Sequence, residues 1–573
     1  MALPATVIIE VESGGSDTGN AGLFDPANAN MPTDGAATVA NTASPVFTSA
    51  SYNFVAGDAG AWLFVKSGTN WNAGWYQIAS VAANAATLTA GIGTGYLVKN
   101  NRPFGITTAA GCATVASPTA ATWTVDYSQQ STPISLTGLT SSGANAIILT
   151  SAATKAMTGN GIQTTGGTNF TLGVYSISSV VAGVSITVDR NDTTGVGAAG
   201  TAGVGGAFAT PGMAGSIKVA SADVFIKAGT YTCTSQTANV AGGVVSDTTG
   251  GATTSVSDWV GYNTTRILDC TDSTQPTISA GTLGAGTYTM VAGSGNYTRF
   301  QNLTVDCASQ GTTTAIAYTG AFQCTANLCN VKNFTKIGFS TSAGANNLNR
   351  CTATGGTSAA TAAFDLSGAS SAVCTYCEAY ANAAPGFRFN TMMTFVGCIA
   401  SAQTNSSNGW LMNGGTYATF VNCVAYGNAG SGFDCTGNVR WLLFTNCIAE
   451  ANLAWGWNAT TVSDGTVLLN CGGYNNTSGN YSTTNIIHTY NFVNNTTGTF
   501  FNNPGSGDFS LNSLPNQGSL ARAAGFPGLM PRGTSTGYAD IGAIQHADPT
   551  AATIINRQTN LWITEESGYA PSL

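Results

Sequence analysis

The chain has 573 residues, of which only 42 are charged (17 basic, 25 acidic), or 7%, against about 25% in an ordinary soluble domain. Hydrophobic residues at 43% support a core, which excludes a charged disordered chain. The scarcity of Glu, Lys and Arg excludes a coiled coil, and a net charge of −8 with 17 basic residues excludes a phosphate-tracking nucleic-acid binder.

At the start, Met1 to Ile9 carries no basic stretch, and Glu10 and Glu12 follow at once, so no secretory signal peptide is expected. Apolar runs such as Val180 to Val188 fall far short of the roughly 20 residues of a spanning helix, so no membrane insertion is expected. Residues 1–100 read as an N-terminal β module, and 101–215 as a β segment with a second copy of its central motif. Gly68-Thr-Asn-Trp-Asn-Ala-Gly-Trp-Tyr-Gln-Ile-Ala-Ser-Val81 matches Gly167-Thr-Asn-Phe-Thr-Leu-Gly-Val-Tyr-Ser-Ile-Ser-Ser-Val180. Each copy is followed by a short β-like run, which predicts antiparallel modules. Ala121 to Tyr127, between them, is expected to be an early solenoid strand.

The dominant signal lies in 216–500. Cys307, Cys329, Cys351, Cys377, Cys398, Cys423, Cys447 and Cys471 are separated by 22, 22, 26, 21, 25, 24 and 24 residues, a solenoid period. Three positions before the cysteine lie Leu348, Phe395, Phe420, Phe444 and Leu468; one before lie Asn422, Asn446 and Asn470. Two after lie Ala379, Ala400, Ala425 and Ala449; five after lie Asn382, Asn428, Asn452 and Asn476. Further on come Gly386-Phe387, Gly432-Phe433 and Gly456-Trp457. Cys and Ala two apart share one strand face, while Asn and Gly accept the left-handed backbone of bends. Such units bury their apolar faces only by stacking. The fold class is therefore all-β: a parallel β-helix flanked by small antiparallel modules. Cys329, Cys351, Cys377, Cys398, Cys423, Cys447 and Cys471 are expected as a reduced, buried ladder. No metal or cofactor is expected, because Cys374-x-x-Cys377 stands alone and there are only two histidines, His488 and His546. Phe387, Trp410, Phe433 and Trp457 are expected in the core.

From Ile217 to Phe501 the pattern, with Val224-Phe-Ile-Lys-Ala-Gly-Thr-Tyr231 and Trp259 to Arg266 as a first coil, resembles the right-handed parallel β-helix (pectate-lyase-like) superfamily, and in particular phage tailspike and virion-fibre β-helices. That resemblance implies a homotrimer. Residues 501–548, with Asp540-Ile-Gly-Ala-Ile-Gln545, resemble the segment that closes the stack in secreted β-helix proteins, a C-terminal cap. The apolar tail 549–573 is expected to dock on its own body or on a neighbour.

Glycoside hydrolysis uses two carboxyls about 5–9.5 Å apart. The candidate catalytic acids are Glu378, Asp434 and Glu450. Register separates Glu378 from Glu450 by three coils, about 14 Å, and puts Asp434 on another sheet. Arg350, Arg388 and Arg440 share no column. Tyr426, Glu450 and Tyr474 form an outward ridge, a candidate glycan or interface face. Ile399, Val424 and Ile448 form an apolar outward column to be covered by a loop, the C-terminal tail or another subunit, and are the candidate subunit interface. The expectation is a virion-associated structural protein, a trimeric spike, fibre or capsid decoration for attachment or surface coating. It would be made in the host cytoplasm and would partner other virion proteins and a cell-surface glycan. The alternatives are a tailspike-type polysaccharide depolymerase and a bacterial adhesin, which would be extracellular or on the cell surface.

Overall fold

A computed structural model describes residues 3, 7–37, 46–69, 71, 73–88, 94–99, 102–108, 119–142, 147–253, 255–263, 274–342, 344–390, 392–412, 414–436, 439–459, 464–482, 486–525 and 540–545. The tail 549–573 and His546 lie outside them.

Three long sheets run the length of a parallel β-solenoid. The first sheet has 13 strands, including Asp223–Lys227, Ser257–Tyr262 and, much later, Val439–Thr445 and Ile486–Tyr490. The second and third have 11 strands each, beginning at Thr230–Cys233 and Ser235–Ala238. Each coil contributes one strand to each face, and the sequence repeat sets the register. In the first sheet Leu348, Cys374, Phe395, Phe420, Phe444 and Leu468 pair in line. In the second, Ala353, Ala379, Ala400, Ala425 and Ala449 do so. In the third the column is Phe339, Phe364, Phe387, Trp410, Phe433 and Trp457. These rings stack face to face at 4.9, 4.6, 4.9, 4.6 and 5.3 Å along the interior.

The bends follow residue type. Asn422, Asn446 and Asn470, one before the cysteine, have φ of 55°, 56° and 49°, the left-handed conformation that Asn tolerates. Leu328, Arg350 and Tyr376 occupy the same corner in earlier coils at φ of 55°, 51° and 54°. The ladder cysteines are buried and free. Their thiols point at backbone carbonyls of the preceding coil, as in Cys351 Sγ to Ala326 O (3.4 Å) and Cys398 Sγ to Cys374 O (3.3 Å). At the next corner the buried Asn428, Asn452 and Asn476 hand hydrogen bonds from coil to coil.

The N-terminal side carries two antiparallel units with one shared core. One is a sheet containing Trp62–Thr69, Gly74–Ala82 and Ala85–Leu88; the other is a closed six-stranded barrel from Ile134–Ser141 to Thr193–Val204. The duplicated motif folds as the same bulged hairpin in both, with the irregularity after Ile78 in one and after Ile177 in the other. Two features depart from the sequence reading. Ala121 to Tyr127 is not an early solenoid strand: Thr119–Asp126 pairs antiparallel with Trp62–Thr69, because Trp123 and Val125 face the modules' shared core. Ile8–Val11, assigned by sequence to the module 1–100, pairs in parallel with Asp223–Lys227 as part of the first sheet. Alternation drives this, since Val7, Ile9 and Val11 enter the solenoid core.

Candidate functional site

The outer face of the second sheet carries both sequence-derived patches. In register, Glu378, Ile399, Val424 and Ile448 form one outward column, and Tyr380, Ser401, Tyr426, Glu450 and Tyr474 another. The chain itself covers this face. Phe500, Phe501, Phe509, Leu511, Ile541 and Ala543 pack on Val424 and Ile448, with Ile399, Tyr426 and Tyr474 at the margin. Asn422 Nδ2 donates to the carbonyls of Asp540 (2.7 Å) and Gly542 (2.8 Å), and the Gly542 amide donates to Asn446 O (2.8 Å). The column expected at a subunit interface is thus sealed within one chain. The described part of the expected end cap lies sideways across the second sheet, because stacked aliphatics there demand cover.

Glu450 is 2% exposed beneath this cover. Its Oε2 accepts the Phe500 amide at 3.0 Å. Burial pushes its carboxyl up to about 7, against the opposing hydrogen bonds from Thr499 and Phe500. Tyr426 lies edge-on to Phe501 and Phe509 at 6.1 and 5.6 Å. The ridge of Tyr426, Glu450 and Tyr474 is therefore a docking bed for the C-terminal segment.

The other candidate acids stand apart. Glu378 is half-buried beside Ile399, and burial raises its carboxyl above the usual range. Asp434 lies on the third sheet, where it accepts from Asn408 Nδ2 (2.8 Å) and Asn458 Nδ2 (3.3 Å), with burial raising its carboxyl. In its column Arg388 pairs with Asp365 at 3.5 Å. The structure brings no two of Glu378, Asp434 and Glu450 together.

A denser charge group, missed by sequence reading, lies in the first coils. Lys218 Nζ pairs with Asp247 at 3.2 Å, with side-chain exposures of 1% and 0%. Asp247 also accepts from Ser257, Trp259 Nε1 and the Gly250 amide. Burial would raise its carboxyl, but Lys218 and these donors hold it down at about 2. Arg299 grips Asp258 at 2.6 and 2.9 Å. Lys218 and Asp247 are closed to solvent, so they serve the fold. Among the described residues no group of three or more His, Cys, Asp and Glu is arranged to hold a metal ion.

The open aromatic surface is on the first sheet. Tyr417 and Trp441 stand on successive strands, between the paired positions Thr416↔Arg440 and Ala418↔Leu442. They are 57% and 58% exposed, with φ of 69° and 57°. Their only sequence signal was β propensity, which does not announce a left-handed aromatic.

No protein-family model matches the chain, and neither does any curated protein. Among solved structures it is similar to a rhamnogalacturonan lyase (15% identity over 50% of this chain and 82% of that chain, TM-score 0.42). It is also similar to the pectate lyase Pel9A (15%, 56% and 87%, TM-score 0.41) and to the catalytic domain of a GH87 alpha-1,3-glucanase (10%, 80% and 91%, TM-score 0.28). At these identities the likeness is one of fold alone.

Proposed function

We propose that the protein is a structural β-helix of a virion, a homotrimeric spike, fibre or capsid decoration that serves attachment or surface coating. The observation that carries this reading is the fate of its acids. Glu450 is sealed under Phe500, while Glu378 and Asp434 stand on different sheets, so these three offer no pair at the roughly 5–9.5 Å separation that glycoside hydrolysis uses. Instead the chain spends its residues on internal columns of rings, thiols and asparagines that give length and stiffness. Immunogold electron microscopy of the native source tests the assignment, with label expected on particles. Label confined to cell envelopes would favour an adhesin. Release of reducing sugar ends from host polysaccharide by the purified chain would overturn the structural reading in favour of a depolymerase. Mass measurement in solution checks the trimer.

A further inference from the structure

We propose that the first-sheet face around Tyr417 and Trp441 is a polysaccharide-binding platform on which sugar rings stack. This rests on the attachment reading above and names its ligand class and its site. Three observations support it. First, both rings are more than half exposed, on adjacent strands, with Met392 (53% exposed) on the strand before them. Strand spacing sets the two positions about 4.8 Å apart, the scale of one pyranose unit. Second, both residues hold left-handed backbone inside a strand, at φ of 69° and 57°, where a bulky side chain is an outlier. Strain of this kind persists where it presents a side chain for use, and here the folded chain gains little burial from either ring. Third, the Trp441 indole lies over Gly465, where a Cβ would come within 3.0 Å of Cε3 and 3.4 Å of Cδ2. The indole rests on that backbone and stays more than half exposed.

The chemistry around the rings fits a glycan. On this face Arg440 is exposed, and Asp464 stands in register with it on the following strand. Thr419 and Arg440 offer hydrogen-bonding groups beside the aromatic faces. A polyphosphate partner would call for a basic cluster, and among the described first-sheet strands from Ser371 to Leu469 Arg440 is the one basic residue. Aromatic side chains, with an apolar body and polar surroundings, suit the CH-rich faces of pyranose rings.

The full chain is tested against an array of purified bacterial lipopolysaccharides and capsular polysaccharides, with Trp441→Ala, Tyr417→Ala and Trp441→Phe beside the wild type. Both side chains are exposed, so the thermal transition should be unchanged in all three. The expected result is binding by the wild type, at least a tenfold loss in each alanine variant and retention by Trp441→Phe. Among the described tryptophans only Trp441 is exposed by more than half, so bound polysaccharide should also remove an acrylamide-quenchable emission that Trp441→Ala lacks. Equal binding by the wild type and both alanine variants would overturn the platform while leaving an attachment role standing. Absence of binding across the array would overturn it too, and the microscopy above would still judge the virion assignment by itself. Self-association abolished by Trp441→Ala would overturn it in favour of an interface between copies.

Discussion

The Phe500 amide donates to Oε2 of Glu450 at 3.0 Å, tying the C-terminal segment to the second sheet through a carboxyl almost removed from water. The closure is therefore titratable. Glu450 is held protonated up to about 7 in the folded chain, against an ordinary value of 4.5. The folded state keeps its proton where the unfolded state loses it, so stability is full below about 4.5 and declines as pH rises to about 7. Each pH unit across that window weakens the closure by at most about 1.4 kcal/mol. Amide protection factors of residues 500–511, corrected for the intrinsic pH dependence of exchange, measure it at pH 5 and pH 8, with lower protection expected at pH 8. Glu450→Gln keeps an oxygen acceptor for Phe500 and should flatten the pH dependence.

Asn452 sits at the middle of the buried asparagine ladder. Its Oδ1 accepts from Asn428 Nδ2 (2.8 Å), and its Nδ2 donates to Asn476 Oδ1 (2.8 Å) and Ala425 O (3.2 Å). Asn452→Ala strands partners on both neighbouring coils, each unmet buried group costing about 1–3 kcal/mol. A fall in the urea midpoint equivalent to about 3 kcal/mol is expected, and Asn452→Asp should cost more, because it buries a charge.

Trp410 is stacked between Phe387 (4.9 Å) and Phe433 (4.6 Å) and is wholly buried. Trp410→Ala should destabilise by about 3–5 kcal/mol through the cavity it opens. Its indole N–H has no hydrogen-bond partner, so Trp410→Phe loses none. That variant should unfold within about 1.5 kcal/mol of the wild type, which thermal melts can resolve.

The thiol ladder should be chemically silent. Every ladder thiol from Cys329 to Cys471 is buried out of reach of an alkylating reagent in solvent, and burial pushes Cys351, Cys398 and Cys447 well above the ordinary thiol range. Native protein treated with iodoacetamide at pH 7 should carry no label on Cys329 to Cys471 of the ladder, and urea should expose all of them. Label on Cys398 in folded protein would mean that the coils open locally.

The solenoid was legible because its repeat is chemical as well as numerical. A cysteine, an alanine two later and asparagines one before and five after each occupy a position with a distinct physical demand, and the coils preserve the offsets. The register of Ile399, Val424 and Ile448 was legible for the same reason, and so was their need for cover. Which part of the molecule supplies the cover was not, because Phe500 and Ile541 carry no repeat phase. Ile8–Val11 escaped because its partner lies beyond two whole modules. Tyr417 and Trp441 escaped because nothing in an aromatic residue type signals positive φ.

The pairing of Ile8–Val11 with Asp223–Lys227 has an architectural corollary. After Val11 the chain adds one more strand to the first sheet, Leu23–Phe24, antiparallel to Ile8–Val11, then leaves it and comes back at Phe208, whose amide donates to Glu10 O (3.0 Å) and whose carbonyl accepts from Glu12 N (2.9 Å). The antiparallel sheet and the barrel are thus a cassette spliced between neighbouring positions, its entry and exit side by side. It is not deletable, because Phe24, Trp62, Phe64 and Trp75 bury the outward Phe225, Val260 and Tyr262. Whatever replaces it must bring its own apolar floor.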